Sequence, residues 1–301
     1  LCKESVEQFG QQIKIQELPK TFIDTSHITY RLGYRYIWID SLGIIQDSDE
    51  DWNHEAARMG EIYRNSALTI AAMSSTDGLA GCFRKRNPLQ FFTCRLRQSD
   101  GTHLFLIDIA KTHMGSIDRP DQPVSSDLPA PALLQRAWVV QESALAHRTL
   151  YYGNEMVFWE CLELKASERE PIKSGPYLGQ NCIEQAFDEL FTAYENSERD
   201  RFYELWMDIV MRYTGAKLTS QTDRWVAISG LVAIIQKRLG LEMVHGIWSS
   251  FLPQALAWWV EHPGARFDNV RPTWSWLSLK AVIWPVPSDK SQLMSNSVQT
   301  L

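Results

Sequence analysis

Two short apolar runs bracket one amphipathic run near the start of the chain, and this succession constrains the fold more than any other feature. Residues Tyr34 to Asp40 read Tyr-Arg-Tyr-Ile-Trp-Ile-Asp. Their density of aromatic and β-branched side chains is that of a strand. Asp49, Glu50 and Asp51 follow, an acidic cluster suited to the positive end of a helix dipole. Trp52, Ala56, Met59 and Tyr63 then fall on one face of a helix. Ala67 to Met73 is a second apolar run of strand character. Strand, helix and strand in that order predict a βαβ unit, with 34–40 and 67–73 as adjacent parallel strands joined by a helix over 51–64. The expected fold class is α/β, with a central, mostly parallel sheet flanked by helices and a mainly helical C-terminal region.

The remainder divides by composition. Leu18-Pro19-Lys20-Thr21 starts a short amphipathic helix carrying Phe22, Ile23 and Ile28. Gly78 to Pro88 is a loop rich in Gly and Arg, and His103 to Ile109 a further strand. Four prolines between Lys111 and Pro131 mark an irregular excursion. Arg136 to Leu145 is a short helix. Thr149–Tyr152 and Met156–Cys161 flank Gly153-Asn154 and predict a hairpin, since Gly and Asn supply the positive φ angles of its turn. The expected organisation is an α/β domain over 1–164, a polar linker over 165–183, a mainly helical region over 184–285 packed on the first, and a frayed tail over 286–301. Within the third segment, Glu184–Tyr213 gives one long helix or two, Asp223–Leu239 and Phe251–Val260 one each, and Trp274–Leu279 a late strand.

Composition excludes several classes. The 301 residues are 45 % hydrophobic and 22 % charged, which are globular proportions. Twelve Trp demand an aromatic-rich, mostly dry interior. A net charge of −6 with interspersed signs offers no basic footprint for nucleic acid. The longest apolar runs are too short to span a bilayer. Five Cys, at 2, 82, 94, 161 and 182, form no CxxC pair, so no zinc site is expected, and reduced thiols in the cytoplasm are. Walker A, GxGxxG and nucleophile-elbow motifs are all missing from the sequence.

Four groups of residues are candidates for chemistry. Asp40 would end a parallel strand, the edge where α/β sheets form ligand crevices, with Gln46 and Asp47 in the adjoining loop. The same carboxylates could instead cap backbone N–H groups. Glu55 lies three residues before Arg58 on the helix, a spacing that a surface ion pair explains. Trp138, Gln141, Glu142 and Leu145 share a helical face, which draws Gln141 and Glu142 inward. A buried Glu142 needs a partner, and Arg136 or Arg148 could supply it, as a structural network or as part of a ligand grip. Asp40, Arg136 and Glu142 are expected to gather at one sheet edge. Arg84, Lys85 and Arg86 form a basic loop, solvated or phosphate-facing.

Several segments, in order, resemble the fungal heterokaryon-incompatibility (HET) family. They are Leu18-Pro19-Lys20-Thr21-Phe22-Ile23-Asp24, then Tyr36-Ile37-Trp38-Ile39-Asp40-Ser41-Leu42-Gly43-Ile44-Ile45-Gln46-Asp47, then Ile62-Tyr63-Arg64-Asn65-Ser66-Ala67, then Arg136-Ala137-Trp138-Val139-Val140-Gln141-Glu142 with Trp159-Glu160-Cys161. Thr222-Asp223-Arg224 and Pro272-Thr273-Trp274-Ser275-Trp276 resemble segments that follow the domain in such proteins. The resemblance implies a cytoplasmic module of fungal non-self recognition that promotes programmed cell death through a protein partner or self-association. Because HET domains are regarded as distant relatives of TIR domains, it also implies a TIR-like fold. An NAD-cleaving activity is the alternative, with Glu142 or Glu55 as the carboxylate and NAD as substrate rather than bound cofactor. An inactive paralogue is a further one. Two departures count: Gly43 stands where the family usually carries Cys, and the family's opening strand, expected just upstream, is absent from the sequence, as in a truncated chain.

Overall fold

Thr69–Ala71 (β1) takes its parallel neighbour from much later in the chain than expected, pairing with Arg148–Tyr152 (β4) so that Ile70 faces Leu150. The computed structural model describes residues 1–75, 77–86, 94–97, 100, 102–106, 131–154, 156–168, 183–266 and 271–286. The chain divides into two compact units. The first comprises 1–52, 67–135 and 147–178, and the second 53–66, 136–146 and 179–301.

In the first unit the central element is a four-stranded sheet in the order β1-β4-β5-β6, where β5 is Val157–Cys161 and β6 is Lys165–Ser167. The β4–β5 hairpin is antiparallel, with Leu150 opposite Trp159, as expected, but neither Gly153 nor Asn154 takes the positive φ expected of its turn. Strand β6 pairs antiparallel with β5. The sheet is therefore mixed, with one parallel pair and two antiparallel pairs, and the expectation of a mostly parallel sheet is corrected. Ala71, Met73 and Tyr151 form its small core, with Leu133, Leu134 and Phe158 against them. Cys94–Arg97 (β2) and His103–Leu106 (β3) form a separate antiparallel pair.

The largest correction concerns Tyr34–Asp40. Residues 34–39 take no strand structure, and Asp40 opens a single helical turn, Asp40–Gly43 (α3). Strand propensity measures fit to a pleated, half-buried surface, and among the described residues no strand pairs with this segment. Tyr36 is 84 % exposed and Ile37 42 %. Gly43 fits against Trp38, for a Cβ there would stand 2.8 Å from the indole Nε1. Upstream, Val6–Gln11 (α1) precedes Lys20–Arg31 (α2). Helix α2 forms where expected but buries Thr21, Asp24, Thr25, Ile28 and Thr29 rather than Phe22 and Ile23.

Asp49–Asn65 (α4) begins with its three acidic residues. Of its expected apolar face, Ala56 and Met59 are buried, and Trp52 and Tyr63 are half-buried. In the second unit Ala137–Leu145 (α5), Ile183–Glu195 (α6), Arg199–Gly215 (α7) and Val226–Leu239 (α8) build one core. Trp206, Trp248, Trp276, Tyr213 and Phe202 are nearly inaccessible to solvent within it. Each such side chain contributes about 2–3 kcal/mol relative to exposure. Gly240, at φ 67°, ends α8 in the left-handed conformation and returns its N–H to the Gln236 carbonyl.

Two later expectations fail. Phe251–Val260 is not a helix but two tight 3₁₀ turns and a short strand, Trp258–Trp259. Pro253, in the middle of the run, offers no N–H to an α-helical ladder. Trp274–Leu279 is not a strand: Ser275 Oγ accepts the Leu277 N–H at 3.2 Å and starts a 3₁₀ turn over Trp276–Ser278. Of the expected linker and tail, residues 169–182 and 287–301 lie outside the described residues, as does the excursion over 107–130.

Candidate functional site

The candidate residues fall into the two units, Asp40, Gln46 and Asp47 in the first and Glu55, Arg136, Gln141 and Glu142 in the second. In the first, each carboxylate serves the local backbone. Half-buried Asp40 does not end a strand; its Oδ1 accepts the N–H of Ser41 at 2.7 Å. Exposed Asp47 accepts the N–H of Lys3 at 2.8 Å and so fixes the N-terminal segment. Gln46 donates its side-chain amide to the Ile44 carbonyl at 3.1 Å. Asp51 adds a similar bond, accepting the Ile45 N–H at 2.7 Å.

In the second unit, Glu55 is bonded to Arg58 at 2.7 Å, with His54 at 3.6 Å. Exposed Arg136 occupies the N-cap position of α5, and the next N–H, of Ala137, is bonded to the Lys217 carbonyl at 2.9 Å. Gln141 is 1 % exposed. Its Oε1 accepts the Gly230 N–H at 2.9 Å, and its Nε2 has no partner among the described residues. The contact is possible only because position 230 is Gly, since a Cβ there would lie 2.6 Å from that oxygen. Gly60 of α4 is also tightly placed, for a Cβ built on it would stand 3.2 Å from the Gly230 Cα. Small residues thus let α4, α5 and α8 meet near backbone contact. Glu142 is half-buried and has an interaction of its own.

The most developed polar cluster of the first unit was not foreseen. Asp24, 5 % exposed, accepts from Lys20 Nζ at 2.9 Å and from the N–H groups of Cys82 at 2.8 Å and Phe83 at 3.5 Å. Burial pushes its carboxyl up, but the bonds from Lys20, Cys82 and Phe83 outweigh that and hold it below its usual range. Thr21 Oγ1 accepts the Gly81 N–H at 3.2 Å, and Ser75 Oγ donates to the Gly81 carbonyl at 2.7 Å. Arg84 is not a free basic side chain, for it donates to the carbonyls of Ser74 and Ala80, and Arg86 is paired with Glu168. Buried Cys82 has its thiol pushed up to about 11 by desolvation and by Asp24, which makes it a poor nucleophile. The sequence signal for the cluster was slight: Lys20 and Asp24 stand one helical turn apart.

A second unforeseen cluster lies within the sheet. Glu160, 7 % exposed, accepts from the Tyr151 hydroxyl at 2.8 Å and pairs with Lys165 Nζ at 2.8 Å. In the second unit Arg224, 4 % exposed, is lowered to about 10 by desolvation, and its carbonyl accepts the Tyr213 hydroxyl. Among the described residues no group of three or more His, Cys, Asp and Glu side chains is placed to hold a metal ion. No helix among them is long and apolar enough to cross a membrane.

Residues 3–142, which are 140 of the 301, match the family model described as heterokaryon incompatibility protein (HET). All seven candidate residues and Asp24 lie within the matched span, whereas Glu160 and Arg224 lie beyond it. No curated protein and no solved structure matches the chain.

Proposed function

This chain is a HET-domain protein, carrying the domain over residues 3–142, and on that premise we propose that it is a fungal non-self recognition module. It acts in the cytoplasm and promotes programmed cell death through contact with a protein partner or with itself. One observation carries the preference for contact over catalysis: the polar candidates are engaged internally. Asp40 and Asp47 hold backbone N–H groups, Glu55 holds Arg58, and Gln141 holds Gly230. Side chains so committed keep a surface rigid, and rigidity favours recognition. The free thiols of Cys2, Cys82 and Cys161 suit a reducing compartment.

The competing reading is a TIR-like NAD-cleaving hydrolase. It rests on fold analogy and on half-buried Glu142. The test is inducible expression of the chain in fungal hyphae, with entry of a membrane-impermeant dye as readout. Death of the expressing compartments is the expected result, and normal growth at full expression would overturn the reading.

A further inference from the structure

Helix α2 ends in a turn whose side chains all face solvent. Every residue from Tyr30 to Ile37 is exposed, Tyr30 at 78 % and Tyr36 at 84 %. The stretch reads Tyr-Arg-Leu-Gly-Tyr-Arg-Tyr-Ile, apolar and aromatic side chains interleaved with two guanidinium groups. Among the described residues, none of its tyrosine hydroxyls and neither Arg31 nor Arg35 has a hydrogen bond or an ion pair. Arg35 stands over the Tyr36 ring, 5.8 Å from its centroid. Gly33, at φ 84°, turns the chain, and a Cβ built on it would meet nothing within 4 Å. The turn thus projects into open space. No Asp or Glu occurs from Thr25 to Ile39, in a chain whose net charge is −6. The bordering carboxylates are engaged, Asp24 with Lys20 and Cys82 and Asp40 with the Ser41 N–H.

We propose that this turn docks on the surface of an anionic lipid bilayer. Charge and side-chain type together select that occupant. Arg31 and Arg35 offer planar forks of donors to lipid phosphates and carboxylates. Tyr30, Tyr34 and Tyr36 suit the headgroup level, where a ring lies in an apolar layer and its hydroxyl stays wet. Leu32 and Ile37 supply aliphatic groups for the acyl boundary beneath. A protein partner would have to match these charges and rings at fixed positions around a projecting turn. A bilayer presents phosphate beside hydrocarbon everywhere, so it needs no register. Because the chain as a whole is acidic, the attraction is local to the turn and is weakened by salt. The contact is peripheral, in keeping with the lack of a membrane-crossing helix among the described residues.

Co-sedimentation of the purified full chain with vesicles tests the proposal. The chain should pellet with phosphatidylcholine vesicles that contain phosphatidylserine and be released by added salt. It should stay in solution with phosphatidylcholine alone. Arg31→Gln combined with Arg35→Gln should weaken partitioning about tenfold or more. Leu32→Ser combined with Ile37→Ser should weaken it with the charge intact. Both double variants alter exposed side chains only, so their melting temperatures should match wild type. Failure to pellet with either vesicle, equal pelleting with both, or wild-type pelleting of the two variants would overturn the proposal. A loss seen only with lowered melting would overturn it too. So would capture of the chain by immobilised polyglutamate without vesicle binding, which would assign the turn to an acidic protein. Because lipid binding is read on purified protein and death in hyphae, either proposal can fail while the other stands.

Discussion

At the scale of single residues, the chain invests its carboxylates in its own backbone. Asp24 is the clearest case, since one side chain satisfies Lys20 and two loop N–H groups. Asp24→Asn should cost about 1–3 kcal/mol at neutral pH, because buried donors lose a charged acceptor. Its folded carboxyl is held below the ordinary 3.8, so the stability it contributes is full above that value and is lost as pH falls through the folded pKa. Urea melts from pH 7 to pH 2 should therefore show the gap between wild type and variant closing in acid, and a gap independent of pH would contradict this. Gly81, at φ 76°, leaves room for the same carboxylate, where a Cβ would stand 2.4 Å from Asp24 Oδ2. Gly81→Ala should lower stability by about 2 kcal/mol or more, read in the same melts. The sequence could not reveal this cluster, since Lys20–Asp24 spacing says nothing about a loop near residue 82. It did flag Glu55 beside Arg58 as an ordinary helical ion pair, because that partnership is local.

At the scale of elements, legibility followed the range of the forces involved. Helix α4 and the β4–β5 hairpin were legible because a 3.6-residue apolar stripe and a Gly-Asn turn are local signals. Tyr34–Asp40 was misread because a strand exists only with its neighbour, and its neighbour is not written in its own residues. Gln141 was read correctly as drawn inward from the Trp138–Leu145 face, but its partner, the Gly230 N–H, was invisible until α5 and α8 were placed together. That crossing yields a prediction. Gly230→Ala should cost about 1–3 kcal/mol by forcing Gln141 away. Adding Gln141→Ala makes room for the new methyl, so the double variant should lose less than the two single losses summed. Chemical denaturation of the four chains reads the coupling, and strictly additive losses would count against the contact.

At the scale of the whole molecule, the family match covers residues 3–142, while the compact units cut across it, placing 53–66 and 136–142 with the C-terminal helices. The matched span is thus not a self-contained unit in this chain. Buried Trp206, Trp248 and Trp276 all lie beyond it, which assigns much of the aromatic core to the segment after the domain. A chain cut at residue 142 would strip α5 of the α6–α8 core it belongs to, and it should lose cooperative unfolding in calorimetry. A sharp transition in that fragment would contradict the division. The central claim, a module that works by contact rather than by consuming a metabolite, meets its most direct test in the purified full chain incubated with NAD. Nicotinamide release followed by chromatography should stay at the level of a protein-free blank. Release above that level, abolished by Glu142→Gln at unchanged melting temperature, would contradict the account.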